Sequence, residues 1–184
     1  MKSIRSLIFI VLTGTFLCSS CSKDSSNLMQ GKMIVKINSK SDSYIANATK
    51  TTGSVDEKSY VIVTVTGVNT SITTLSQNTV VLFIYAPTLE KKTYNVPNYT
   101  ISSTPPNPLA GYASGKYTTY ENSQSTIYAT EYIENTTGSV TVTDFNDKNI
   151  KGTYDIILAS ISDKTKKVSI SGSFESNFLP GTSK

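Results

Sequence analysis

"GSVTVTDFNDKNIKGTYDIILASISDKTKKVSISGSF", residues 138–174, decides the fold class. Three runs alternate apolar and polar residues, "GSVTVTDF", "NIKGTYDIIL" and "KKVSISGSF", with the turn-forming clusters "NDK" and "SDK" between them. A period of two sends alternate side chains to opposite faces of a strand. Val140 and Val142, then Ile150, Tyr154, Ile156 and Leu158, then Val168, Ile170 and Phe174 form one such set. They share a core only if each hairpin connection holds an odd number of residues, because a slip of one turns every side chain over. Gly152 and Gly172 fall on that same face, where glycine marks a bulge or a close backbone approach. The stretch reads as a three-stranded antiparallel meander.

Upstream the same grammar repeats, and no window shows a helical period. "KMIVKIN" (32–38) aligns Met33, Val35 and Ile37, and "YVIVTVTG" (60–67) aligns Val61, Val63 and Val65. "TVVLFIY" (79–85) is apolar on both faces, which predicts a central strand ended by Pro87, a residue that cannot donate to a ladder. "KTYNV" (92–96) is a short strand before the proline-rich loop 97–111. "GKYTTYENSQSTIYATEY" (115–132) reads as a hairpin with a four-residue loop, pairing Tyr120 with Ile127 and Lys116 with Glu131. Many short strands separated by turn clusters predict an all-β domain over 32–178, an antiparallel sandwich or barrel, followed by a tail at 179–184.

The N-terminus carries an address. Lys2 and Arg5 precede the apolar run "LIFIVLTGTFL", which is far shorter than the roughly 20 residues that span a bilayer as a helix. A basic start, a short apolar run and small residues before a cut describe a secretory signal peptide. Ser19 and Ser20 are followed by Cys21, as at a bacterial lipoprotein processing site, although Cys18 stands where Leu is usual. The expected arrangement is a signal peptide at 1–20, an acylated Cys21, and a polar tether to residue 31. Several acyl chains on Cys21 anchor the domain stably to a membrane, which a single chain does not. Cys18-x-x-Cys21 also has the spacing of a redox pair, but no βαβ pattern accompanies it.

These pieces together resemble a family of Bacteroidota envelope lipoproteins catalogued as a domain of unknown function. The resemblance runs from about Gly31 to Phe178 through "MIVKIN" (33–38), "KTYNV" (92–96), "GSVTVTDF" (138–145), "IKGTY" (150–154) and "VSISGSF" (168–174). The family usually has Gly before Thr-Tyr, where this chain has Lys92. The resemblance implies a small antiparallel β domain in the cell envelope, held as an outer-membrane lipoprotein on the periplasmic face or the cell surface. It brings no catalytic residues. Acidic residues after the acylated cysteine favour surface export in that phylum, and here Lys23 and Asp24 match only in part.

Composition narrows the chemistry. The chain has no His and no Trp, and its one Arg is Arg5. Without His or a free thiol there is no Ser-His-Asp or Cys-His nucleophile, and no zinc or copper site built on those ligands. Without Arg the bidentate grip on phosphate is lost. The net charge of +4 falls to +2 with the loss of Lys2 and Arg5, a balance that points to no nucleic-acid partner. No cofactor is implied. Asp144, Asn146 and Asp147 have oxygens for calcium but lack the longer ligand spacing, and a hairpin turn accounts for them.

The candidate binding residues are aromatic. Tyr outnumbers Phe eleven to six, and Tyr99, Tyr112, Tyr117 and Tyr120 lie beside the proline loop. Gathered on one exposed face they make a platform for a glycan or a protein ligand; placed at a core edge they are ordinary strand residues. The expected protein is a monomeric, non-enzymatic β domain that binds or supports something at the envelope. The competing readings are a structural subunit of a surface complex and a polysaccharide hydrolase working through carboxylates. For the latter, Glu121 and Glu131 stand at opposite ends of the expected hairpin, and Glu134 and Asp144 have no evident partner.

Overall fold

The computed structural model describes residues 31–71, 76–98, 106–121, 123–131 and 133–180. Cys21 and Tyr99 lie outside the described residues. Ten strands are present: β1 (Gly31–Ile37), β2 (Lys40–Val55), β3 (Lys58–Ser71), β4 (Ser76–Ala86), β5 (Thr93–Asn95), β6 (Tyr112–Glu121), β7 (Gln124–Ala129), β8 (Thr137–Phe145), β9 (Asn149–Ser160) and β10 (Lys167–Asn177). They form one antiparallel sheet in the order β10-β1-β2-β3-β4-β6-β7-β9-β8-β5, and β9 returns to pair with β10. The sheet therefore curls into a partly closed ring. Of the two architectures the sequence allows, this is the barrel-like one.

Closure depends on β9. One edge of β9 pairs with β10 from Asn149 to Ala159. The other edge is shared, with β8 taking Ile150 to Ile157 and β7 taking only Ala159 and Ser160. The meander at 138–174 is thus the seam of the ring. Its inward set is as the alternation requires: Val140, Val142, Ile150, Tyr154, Ile156, Leu158, Ile170 and Phe174 are buried, and Val168 packs partly buried against them.

The parity is met in an unexpected way at the first hairpin. Between Phe145 and Ile150 the loop is even, but a register shift between Val142 and Asp144 adds one residue, so that Val142 still faces Gly152. The two inward glycines make room for aromatic rings. A Cβ on Gly152 would lie 2.5 Å from the Phe174 ring, and one on Gly172 would lie 1.8 Å from the Ile34 carbonyl oxygen. The second connection is longer than a tight "SDK" turn, with the last pair at Ala159–Lys167 and the Ser160 N–H donating to the Lys166 carbonyl.

β4 is central as expected, paired with β3 on one side and β6 on the other, and it ends at Ala86 before Pro87. Two features differ from the sequence reading. The 115–132 hairpin closes two residues tighter: Glu121 pairs with Gln124, Tyr120 with Ser125, and Lys116 with Ala129 rather than Glu131. Ser123, at φ 63, takes the left-handed conformation that so short a loop demands. A shift of two leaves every side chain on its expected face. The other difference is β2, a strand of 16 residues that the hydrophobic pattern did not announce. Its inward residues are Tyr44, Ala46 and Ala48, two of them too small to register as an apolar face. Paired left-handed residues, Asn38–Ser39 and Asp56–Glu57, turn the chain tightly at both of its ends.

Candidate functional site

The predicted tyrosines divide between the two sides of the sheet. In β6, Ala113, Gly115 and Tyr117 face inward, whereas Tyr112, Ser114 and Tyr120 face outward. Tyr117 is buried at 7% exposure, stacked on Tyr128 with centroids 6.1 Å apart. Tyr120 is exposed on the outside, and Tyr112 is half-buried there. The ring wall stands between Tyr117 and the other two. The sequence placed these residues close together but did not separate their faces.

The outer face of β4 and β6 holds a compact cluster. Tyr85 and Tyr112 are direct cross-strand partners, and their rings stack at 4.5 Å and 17°. Phe83, two residues from Tyr85 on the same face, lies 6.3 Å away at 24°. Ring faces turned toward one another are occupied by the stacking. Beside it the Ser114 hydroxyl donates to Glu131 Oε1 at 2.9 Å. Burial, and then the charge of Glu131, pushes the Tyr85 hydroxyl up to about 12.

The segment after β7 covers this cluster. The Thr130 N–H donates to the Gly115 carbonyl, and the Gly115 N–H donates to the Thr130 hydroxyl. The Thr136 hydroxyl lies within hydrogen-bond reach of the Thr130 and Ile133 carbonyls. Ser114, Thr130 and Thr136 are buried, and each has a hydrogen-bond partner. Ser114 next to Glu131 has the look of a nucleophile beside a base, yet its side chain is out of reach of any substrate. The pair buttresses the segment.

The interior tyrosines follow a different logic. Each takes its hydroxyl to a group of the chain itself, as a buried Tyr requires. The Tyr154 hydroxyl, from β9, donates to the Ile34 carbonyl of β1 at 3.0 Å, across β10. The Tyr94 hydroxyl accepts from the Glu90 N–H at 2.8 Å and ties down the loop before β5. Burial is the first cause raising Tyr44, Tyr117 and Tyr154 above their ordinary value; a neighbouring tyrosine comes next for Tyr44 and Tyr154, whereas for Tyr117 the charge of Glu121 comes next and the hydrogen bond with Tyr44 works against the rise.

The carboxylates are dispersed. Glu121 sits at the hairpin tip beside Gln124, far along β6 from Glu131. Asp144 pairs with Lys91 at 2.6 Å, which lowers its carboxyl below the usual range. The Asn146 side chain accepts from the backbone N–H of Lys148 and of Asn149, a local turn. Among the described residues no group of three His, Cys, Asp or Glu side chains is placed to hold a metal. No helix among them is long and apolar enough to cross a membrane.

A depression of about 350 Å³ on the outer face of β1, β10 and β9 is lined by Lys32, Ile34, Lys151, Thr153 and Glu175. Its charges are partly spent on one another, with Lys151 Nζ 2.7 Å from Glu175. No protein-family model, no curated protein and no solved structure matches the chain.

Proposed function

We propose that the protein is a lipoprotein anchored through acylated Cys21, with a non-enzymatic β domain that binds or supports a partner at the cell envelope through its outer surface. The observation that carries this reading is the interior. Met33, Val65, Leu82, Ile84, Ile156 and Leu158 are all fully buried within it, so among the described residues side chains fill the ring's interior, and the outer wall is the surface on which this reading places recognition. That wall exposes Tyr120, Ile45 and Ile161.

The anchor follows from the small residues before Cys21 and the short apolar run before them. Radiolabelled palmitate feeding tests it. Cys21→Ala abolishes the label and releases the protein from the membrane fraction, whereas Cys18→Ser leaves both unchanged. Loss of label in Cys18→Ser as complete as in Cys21→Ala would contradict the assignment.

A further inference from the structure

We infer that the free edge of β2 from Thr51 to Val55 is a docking site for an extended polypeptide segment of a partner protein, which adds to the sheet as a further strand.

The edge is defined by what already sits on it. β1 covers β2 from Lys40 to Ala46. At Ala48 the chain's own Phe178 forms a parallel bridge, and the Leu179 N–H donates to the Ala48 carbonyl at 2.8 Å. From Thr51 onward, among the described residues, only β3 pairs with β2. The hairpin projects on its other side too, since β3 meets β4 only from Val61 onward.

Backbone phase says which groups are offered. The Ala48 carbonyl points away from β3, and polar groups alternate along a strand, so those of Thr52 and Ser54 also point to the free edge. Both residues are exposed. Their N–H and C=O groups recur about every 6.8 Å, a spacing that another strand matches donor to acceptor. Edges are normally blunted by proline, a bulge or an inward charge. Thr51–Val55 has none of these, and its pairing with β3 is regular throughout.

A second feature lies beside the edge. Tyr60 on β3 faces Gly53 on β2, and its ring extends across the glycine: a Cβ there would lie 2.5 Å from the ring. The far end of the ring thus stands over β2, next to the free edge. Alternate side chains of an added strand would pack against it. The occupant is therefore a peptide with apolar residues at every second position. That occupant continues along one edge the pairing that β1 and Phe178 begin.

This inference rests on the reading that the outer surface binds a partner, and it names the partner's chemistry. Its failure would leave the anchor untouched, which palmitate labelling tests separately. The experiment is hydrogen–deuterium exchange at single-residue resolution on the full chain, with and without a blocked nonapeptide of alternating Thr and Val. In the free protein the Thr52 and Ser54 amides exchange at least ~10-fold faster than those of Thr51 and Gly53, which bond to β3. The peptide slows Thr52 and Ser54 by ~10-fold or more. Thr52→Pro removes one edge N–H where proline is tolerated; it abolishes the slowing at Ser54 and leaves the melting temperature within a few degrees. Thr51→Pro, by contrast, breaks a ladder bond and lowers it. Protection of Thr52 and Ser54 in the free chain overturns the proposal: if dilution removes it a second copy holds the edge, and if not another segment of the same chain does. No slowing by the peptide, or equal slowing in Thr52→Pro, also overturns it.

Discussion

Inside the ring, Tyr154 sends its hydroxyl to the Ile34 carbonyl, and the glycine opposite it leaves space for the approach. Outside, Tyr112 lies ring against ring with Tyr85, half in water. The two residues are chemically identical and perform different tasks. Within the core a tyrosine has to satisfy its hydroxyl from the chain, so it fixes backbone geometry. On the wall it contributes packing area. The difference comes from strand parity: Tyr154 falls at an inward position of β9 and Tyr112 at an outward position of β6.

The comparison breaks first, and with the largest effect, at Tyr154. Tyr154→Ala empties a core aromatic site and should cost about 3–5 kcal/mol, read as a large fall in denaturant midpoint. Tyr154→Phe keeps the ring and removes only the hydroxyl's bond to the Ile34 carbonyl, for about 0.5–1.5 kcal/mol. An unchanged midpoint in the alanine variant would show that the ring does not tie β9 to β1. Gly172→Ala attacks the same contact from the other side. With a Cβ 1.8 Å from the Ile34 oxygen, β1 and β10 must part, and overpacking of this kind costs about 1–3 kcal/mol.

Alkali sharpens the contrast. Tyr44, Tyr85, Tyr117 and Tyr154 all have raised hydroxyls, with burial as the first cause. The folded chain then holds protons that the unfolded chain releases near pH 10, so their stabilisation is complete below pH 10 and lost as pH rises beyond it. Stability should fall steeply from pH 10 to 12. Tyr44→Phe should flatten that fall, and an equally steep fall in the variant would dissociate it from the interior tyrosines.

Outer-face changes are smaller. Tyr112→Ala loses its stack on Tyr85, worth about 0.5–1.5 kcal/mol beyond area, and should shift the melting temperature by only a few degrees. Smallest of all is Glu175→Gln, which removes an exposed partner of Lys151. Its melting temperature should match the wild type at moderate salt. A fall as large as that of Tyr154→Ala would mean that the outer wall carries the fold.

Much of this division was legible in the sequence, and the failures have physical causes. The meander, β1, β3 and β4 announced themselves because large apolar residues recur at every second position. β2 stayed hidden because the buried Ala46 and Ala48 carry almost no hydrophobic signal and most of its other positions are polar. The hairpin at β6 and β7 was found, but composition could not tell a four-residue loop from one with Ser123 left-handed. The tyrosine group was noticed and its split was not, since nearness in sequence says nothing about face until a strand's inward set is known. Ala113 and Gly115, the inward neighbours of Tyr117, are again too small to reveal it. The alternation in the sequence puts Glu131 opposite Lys116. It lies with Ser114 instead, because the strand pairing ends at Ala129 and the chain folds over the outer wall.

The most direct test of the account is chemical nitration of the native protein with tetranitromethane, mapped by mass spectrometry. The reagent reaches rings that solvent reaches. Tyr120 should be modified readily and Tyr112 more slowly, while Tyr44, Tyr94, Tyr117 and Tyr154 remain intact until the chain is unfolded. Modification of Tyr117 at the rate of Tyr120 in the folded protein would contradict the account, because it would put both residues on the same side of the wall.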